Sequence, residues 1–470
     1  MGLYSRPHYL EKPHNNLAGH DKPTILPNMK WISIALILIF VTLSACDLAG
    51  NEEPTPVVAT QAPLDTRSTP TSSPAAVSTP ATIEVQPPVS RGITLTIWTS
   101  TEIAPNNDVP GGPVLLGQLS AFDSDHSNIS LLVELKTIAD QGGTLSYLRT
   151  GRSVAPDILP DVILLPSSQL AVAAGEGLIF PLDEFLAAAD IDDLFPAARE
   201  LVEVEEQIYG YPFALTNLQH LVYNSSGITE TVSTDWTELV AQTPGTLIYP
   251  AAGSDGAELT ARFYHELGGV FVGEDGQPEL QAELLVNALE LIQQAVSQDF
   301  VDPQSGETAL PEQAWQIFQD SPARIVQTTA SSYLSRRAAD ASSDLRVLPL
   351  PGPTGALVPT VGAWIWAIST PDPERQEAAA QLISWLASPE NVGEWCLQSY
   401  SVPTRRSAFD VWPEDSYTTF LQQQAAAASP APFGLNNTIL TALSDATTGV
   451  ILGLSTPTDA AEQARAAIRP

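Results

Sequence analysis

The spacing of apolar residues changes character along the chain. An unbroken apolar run at residues 31–43 follows Met29-Lys30; it is shorter than the roughly 20 residues needed to span a bilayer and fits the apolar segment of a cleaved export signal. From residue 50 to 91 the pattern dissolves into Pro, Thr, Ala and Ser, as in Ser68-Thr69-Pro70-Thr71-Ser72-Ser73-Pro74. Such a composition cannot bury a core and predicts a partly extended, disordered spacer, with a maximum reach on the order of 100 Å at about 3.1 Å per residue. Beyond Gly92, strand and helix periods alternate. Residues 93–98 alternate with period two, residues 114–122 repeat at helical spacing, and 130–135 and 161–165 read as strands. Further strands are predicted at 218–223, 245–249, 323–327 and 361–368. A helix is predicted at 279–298, with Leu280, Leu284, Leu285, Ala288, Leu291, Ile292 and Val296 on one face, and the tail from Pro371 reads as mainly helical. This is the alternation of an α/β domain with a largely parallel sheet. Residues 92–470 exceed the roughly 250–300 at which a single core stops growing, so two lobes are expected. No internal repeat is found.

Charge narrows the partners. Asp and Glu number 54 against 20 Lys and Arg, a formal net charge of -34. Lys136 is the single lysine after the apolar run. A surface this acidic repels nucleic acid and anionic headgroups, and nucleic acid is excluded as a partner. The charge itself is read as a solubility device.

Chemistry is sparse. The chain has two cysteines, Cys46 and Cys396, so no disulfide framework is expected. Cys396 lies in a helical apolar pattern and reads as a buried small hydrophobe. His126, His220 and His265 are isolated and read as structural, and His265-Glu266 lacks the second histidine of a zinc-protease motif. Neither a Gly-x-Ser-x-Gly elbow nor a phosphate-binding glycine loop occurs. No metal, no cofactor and no catalysis are expected, although a glycan hydrolase needs only two carboxylates at no fixed spacing and stays open as an alternative, as does a surface interaction protein.

Leu43-Ser44-Ala45-Cys46 resembles the lipobox of exported lipoproteins, in which the cysteine is lipidated and becomes the new N-terminus. The resemblance implies lipidation at Cys46 and a tether to the outer face of the cell membrane. A diacylglycerol would supply about 0.8 kcal/mol per buried CH₂. Met29 is an alternative start to Met1, and residues 1–45 are set aside as a signal region.

Four ordered segments are similar to the extracellular solute-binding proteins of the family-1, maltose-binding-like type, which serve ABC importers. They are Ile93 to Ser100; Leu159-Pro160-Asp161-Val162-Ile163-Leu164-Leu165 with Gly177-Leu178-Ile179-Phe180-Pro181-Leu182; Ile208-Tyr209-Gly210-Tyr211-Pro212-Phe213 with Leu221-Val222-Tyr223-Asn224; and Gly362 to Ile368 with the helix after Pro373, Ser388-Pro389-Glu390 and Val402-Pro403-Thr404-Arg405. The resemblance implies a two-lobe periplasmic-binding-protein fold, type II-like, with discontinuous lobes, hinge crossings near 217–223 and 361–368, and an interlobe cleft. On that reading residues 46–91 are the lipidated cysteine and linker, 92–218 plus 365–412 form lobe 1, and 219–364 plus 413–470 form lobe 2.

The same resemblance implies a monomeric receptor that captures a carbohydrate, an oligosaccharide or polyol, and delivers it to permease transmembrane subunits. A sugar needs aromatic plates and planar polar groups. The candidates on strand ends and crossings are Ser100, Thr101, Glu102, Ser167, Ser168, Gln169, Asn217, Trp364 and Trp366, with Tyr264 and Tyr333 in lobe 2. An acidic residue would follow the second matched strand in the maltose-binding pattern, and Pro166-Ser167-Ser168 stands there instead, which weakens the case for maltodextrin itself.

Overall fold

The computed structural model describes residues 92–469, apart from 139–141, 156–157, 243–244 and 340–343. Cys46, the signal region and the linker lie outside the described residues. No helix among the described residues is long and apolar enough to cross a membrane.

The strands, in chain order, are β1 (Ile93–Ser100), β2 (Ile129–Lys136), β3 (Val162–Pro166), β4 (Glu203–Val204), β5 (Gln207–Ile208), β6 (Tyr211–Thr216), β7 (Gln219–Asn224) and β8 (Thr246–Ile248). They continue with β9 (Arg324–Thr329), β10 (Leu345–Pro349), β11 (Pro351–Gly352), β12 (Gly355–Ala356), β13 (Thr360–Ile368), β14 (Val402–Pro403) and β15 (Ser429–Pro430). The sheet of lobe 1 has the order β14-β6-β13-β3-β1-β2, with β15 joined to β13; the sheet of lobe 2 has the order β10-β7-β9-β8. β1 is parallel to β2 and β3, whereas β13 runs antiparallel to both β3 and β6.

β13 explains why the first lobe has two apolar layers. Successive side chains on a strand face opposite ways. Ala363, Ile365 and Ala367 therefore pack with Leu148, Leu170 and Ala173 on one side. Trp366 and Ile368 join the other layer, which includes Phe122 and Ile383. In lobe 2 the same alternation sends Leu221, Leu247 and Ile325 to one core and Val222, Ile248 and Val326 to the layer shared with lobe 1.

The segment Val402-Pro403-Thr404-Arg405 is a staple. Thr404 Oγ1 donates to Pro212 O at 2.6 Å, while the buried Arg405 donates to Asp193 Oδ2 at 2.7 Å and to Ala387 O at 2.6 Å. Asp161 and Arg375 pair similarly across the far end of the sheet, with Arg375 Nε 2.6 Å from Asp161 Oδ1.

Three features differ from the sequence reading. The long helix spans Ala282–Ser297 and buries Leu285, Ala288, Leu289, Ile292 and Ala295. Leu284, Leu291 and Val296 sit at the margin of that stripe, only half-buried, because the lobe 2 core meets the helix one position further round. β10 carries no clear alternation in sequence, yet pairs along its length with β7. Finally, β13 pairs entirely within the first sheet, Gly362 opposite Thr216 and Trp364 opposite Pro166. Residues 217–218, between β6 and β7, and residues 357–359, just before β13, thus link the two sheets. The chain passes the hinge a third time after the helix Ser416–Ala427, where β15 pairs with Thr360 and Val361.

At the first crossing Asn217 holds φ 62°. Asn tolerates this left-handed conformation, which costs other L-residues roughly 1–2 kcal/mol. Asn217→Val is expected to lower unfolding stability by about 1–2 kcal/mol in urea titration, while Asn217→Gly stays close to wild type; an unchanged midpoint for the valine variant would show the turn to be unconstrained.

Candidate functional site

The carboxyl ends of β1 and β3, the end of β6 and the start of β13 lie along one edge of the first sheet. In open α/β sheets this edge is where ligands bind. There, a Cβ built on Gly362 would lie 2.8 Å from Thr216 Oγ1 and 3.2 Å from Ser167 Oγ. Only glycine leaves the two hydroxyls that close. Ser167 Oγ accepts from Ala363 N at 3.1 Å, so its proton remains free to donate. Ser168 is exposed and Gln169 half-buried on the helix Ser167–Gly175. Ser100 is buried and its Oγ accepts from Ile103 N at 3.1 Å, holding a turn that leaves Thr101 and Glu102 exposed.

The start of β7, the end of β9 and the helix Ser254–Glu266 form the edge of the lobe 2 sheet next to the first crossing. Gln219 Nε2 donates to Glu258 Oε2 at 2.9 Å, and Gln327 Nε2 donates to Gln219 Oε1 at 2.7 Å and to Asp255 O at 3.0 Å. Gln327 Oε1 is buried with no hydrogen-bond partner among the described residues. Arg262 Nη2 donates to Val358 O at 2.6 Å, tying this wall to the second crossing.

The wall is electrostatically tense. Glu258 is enclosed on most sides yet keeps a partly open face, and enclosure together with the nearby Asp255 charge raises its pKa to about 7 despite the opposing field of Arg262. Asp255 is raised by burial and by Glu312. Burial pulls Arg262 down to about 10, against the support of Glu258 and Glu266. Arg262 only donates and is engaged by Val358 O, which leaves the carboxyl groups of Asp255 and Glu258 as acceptors for a molecule that carries donors.

The aromatic candidates separate. Trp364 is half-buried on the cleft edge. Trp366, two residues deeper on the same face, is buried and packs edge-on to Phe213 with ring centroids 5.8 Å apart. Tyr264 and Tyr333 both lie in packed surroundings. Tyr264 is wholly buried in the lobe 2 core, its hydroxyl donating to Val270 O at 2.7 Å. Tyr333 is buried against the rings of His220, Trp315 and Tyr417. Asn217 is exposed at the crossing itself.

Thr216, Gln219, Asp255, Glu258 and Gln327 were not among the sequence candidates. Phe433 is 87 % exposed, between β15 and the helix Asn437–Ile451. The candidates Ser167, Asn217 and Trp364 gather at this edge, whereas Tyr264, Tyr333 and Trp366 belong to packing. Among the described residues no group of three or more His, Cys, Asp or Glu is arranged to hold a metal ion.

No curated protein sequence matches the chain significantly. Solved structures do match. The sugar-binding protein MalE of Xanthomonas citri superposes with TM-score 0.65 at 16 % identity, over 80 % of this chain and 96 % of that one. The cyclic α-maltosyl-1,6-maltose binding protein of Arthrobacter globiformis gives 0.63 at 19 %, over 80 % and 98 %, and the maltose-binding protein MalE of Listeria monocytogenes, in complex with maltose, gives 0.60 at 15 %, over 80 % and 96 %. At these identities the likeness establishes the two-lobed α/β fold. The profile of the bacterial extracellular solute-binding proteins matches residues 120–426, most of the folded chain, and the chain belongs to that family.

Proposed function

We propose that the chain is a lipid-anchored receptor that captures a carbohydrate, an oligosaccharide or polyol, between its lobes and hands it to the permease of an ABC importer. What supports this reading is that each lobe carries polar groups on the sheet edge next to the first crossing. Lobe 1 offers Ser167, Thr216 and the half-buried Trp364; lobe 2 offers the acceptors Glu258, Asp255 and Gln327. A sugar presents C–H faces for an aromatic plate and hydroxyls that donate to carboxylates. The structural relatives named above include proteins that bind maltose and a cyclic maltosyl maltose. No covalent chemistry is involved in this reading.

Capture works by closure. The crossings at 217–218, 357–360 and 429–436 join the lobes, and a ligand touching both edges favours the state in which they meet. The anchor would be a diacylglycerol on Cys46, with residues 47–91 as the spacer between membrane and lobes.

Thermal melting of the purified protein against mono- and oligosaccharides, polyols, polyamines and short peptides tests the ligand class. One sugar class is expected to stabilise saturably, by about 2.7 kcal/mol at one hundred times its dissociation constant, with no turnover; stabilisation by peptides or polyamines alone would overturn the reading. Trp364→Ala should weaken sugar binding at least tenfold and leave the melting temperature of the free protein nearly unchanged. By contrast, Trp366→Ala should cost about 3–5 kcal/mol of stability. Equal sugar affinity in Trp364→Ala and wild type would remove Trp364 from the site.

Glu258→Gln isolates the charge on the lobe 2 wall. The folded pKa of Glu258, about 7, lies above the ordinary 4.5, so its contribution is intact at low pH and is lost as pH rises through about 7. The variant should therefore gain stability relative to wild type between about pH 5 and 7, by up to about 3 kcal/mol, and hold that gain above. Urea unfolding at stepped pH reads this difference, and a constant offset would mean that Glu258 is not held protonated. For the anchor, Cys46→Ser should abolish incorporation of labelled palmitate and release the protein from membranes.

A further inference from the structure

Lobe 2 has a cavity at the end of β7 away from the first crossing. β7 leaves the first crossing at Gln219 and ends at Asn224, and the cavity opens at that far end, between the helices Pro311–Gln319 and Ala330–Ala339. Its volume is about 450 Å³, and its walls include Trp315, Phe318, Tyr333 and Leu345 together with Arg336 and Arg337. That size lies within the roughly 300–1,000 Å³ of small-molecule sites.

The two arginines differ in their engagements. Arg337 donates to Asp415 Oδ2 at 2.8 Å and lies over the Tyr417 ring. Arg336 sits over Trp315 with its guanidinium carbon 4.6 Å from the ring centroid. Its Nε is buried with no hydrogen-bond partner among the described residues, and it enters none of their ion pairs. Glu312 supports its charge only at a distance, against the cost of burial. Arg152, Arg262, Arg406 and Arg465 also enter no ion pair but donate to backbone carbonyls, so among the described residues Arg336 is set apart by its buried, unpartnered Nε. Its planar fork matches a carboxylate in two-point geometry, and the aromatic walls suit an apolar body beside it.

We propose that this cavity is a binding site for a small organic carboxylate with an aromatic or apolar body, its carboxylate on Arg336 and its body against Trp315, Phe318 and Tyr333. The site is separate from the interlobe cleft and stands whether or not the cleft takes a sugar.

The probe is 1-naphthoate, with 1-naphthalenemethanol as its uncharged counterpart, titrated calorimetrically into the full-length protein. Naphthoate should bind saturably at one site, at least tenfold more tightly than the alcohol. Arg336→Gln should weaken naphthoate at least tenfold and leave the alcohol unaffected, and Arg336→Lys, which keeps the charge without the fork, should fall between. Trp364→Ala, at the cleft, should bind naphthoate as wild type does. Should Arg336→Gln fail to fold, Trp315→Phe carries the test by removing the part of the tryptophan quenching that naphthoate causes. Absence of saturable binding, equal affinity for acid and alcohol, wild-type affinity in Arg336→Gln, or loss of naphthoate binding in Trp364→Ala would each overturn the proposal.

Discussion

A single apolar layer runs unbroken beneath the first crossing, and the arrangement of the lobes depends on it. Phe213 and Leu215 at the end of β6, Leu218 in the crossing, and Val222 and Val326 in lobe 2 belong to one buried cluster, sealed by Tyr417, Leu421 and Ala425 from the helix Ser416–Ala427. At roughly 25 cal/mol per Å² of apolar surface, parting the lobes on this side would expose side chains worth about 1.5–3 kcal/mol each. The lobes are therefore hinged and cannot slide apart. Their freedom is confined to bending at the three crossings, on the side where Asn217 and Val358 meet solvent.

In so acidic a chain the few cations are placed where the chain must be held. Arg405 joins the 402–405 segment to the 188–193 region and to the end of the helix Pro373–Leu386. Arg375 joins that helix to Asp161 at the head of β3. Arg262 fastens the second lobe to the backbone of the second crossing. Breaking such a pair leaves a buried charge without compensation, which costs far more than the intact pair gains. Arg405 accordingly accounts in physical terms for the 402–405 segment that stood out in the sequence as a family resemblance.

How far the fold was legible follows the same physics. Strands buried on both faces, such as 161–165 and 361–368, announced themselves as apolar runs, but β13 pairs antiparallel with both β3 and β6 where a largely parallel sheet was expected. β10 did not announce itself, because it pairs on one side only and shares its face between two cores. The placement of Ser167, Asn217 and Trp364 on one sheet edge was legible because strand ends and crossings are local in sequence. The lobe 2 wall was not. Gln219 meets Glu258 across 39 residues and Gln327 across 108, and Glu258 is one of 54 acidic residues with nothing local to set it apart. Tyr264 and Tyr333 misled because an aromatic at helical spacing serves a core as readily as a cleft.

His220, buried in the layer under the crossing, gives the protein a form of thermodynamic self-compensation. Its Nε2 lies 2.8 Å from the Tyr417 hydroxyl, and burial lowers its pKa from 6.5 to about 4. The unfolded chain gains a proton there as pH falls below about 6.5, so His220 favours folding at higher pH. Glu258, whose pKa rises from 4.5 to about 7, favours folding at lower pH over an overlapping range. Between about pH 4.5 and 6.5 these two proton linkages have opposite slopes, so the contribution of the lobe junction and that of the lobe 2 wall offset one another.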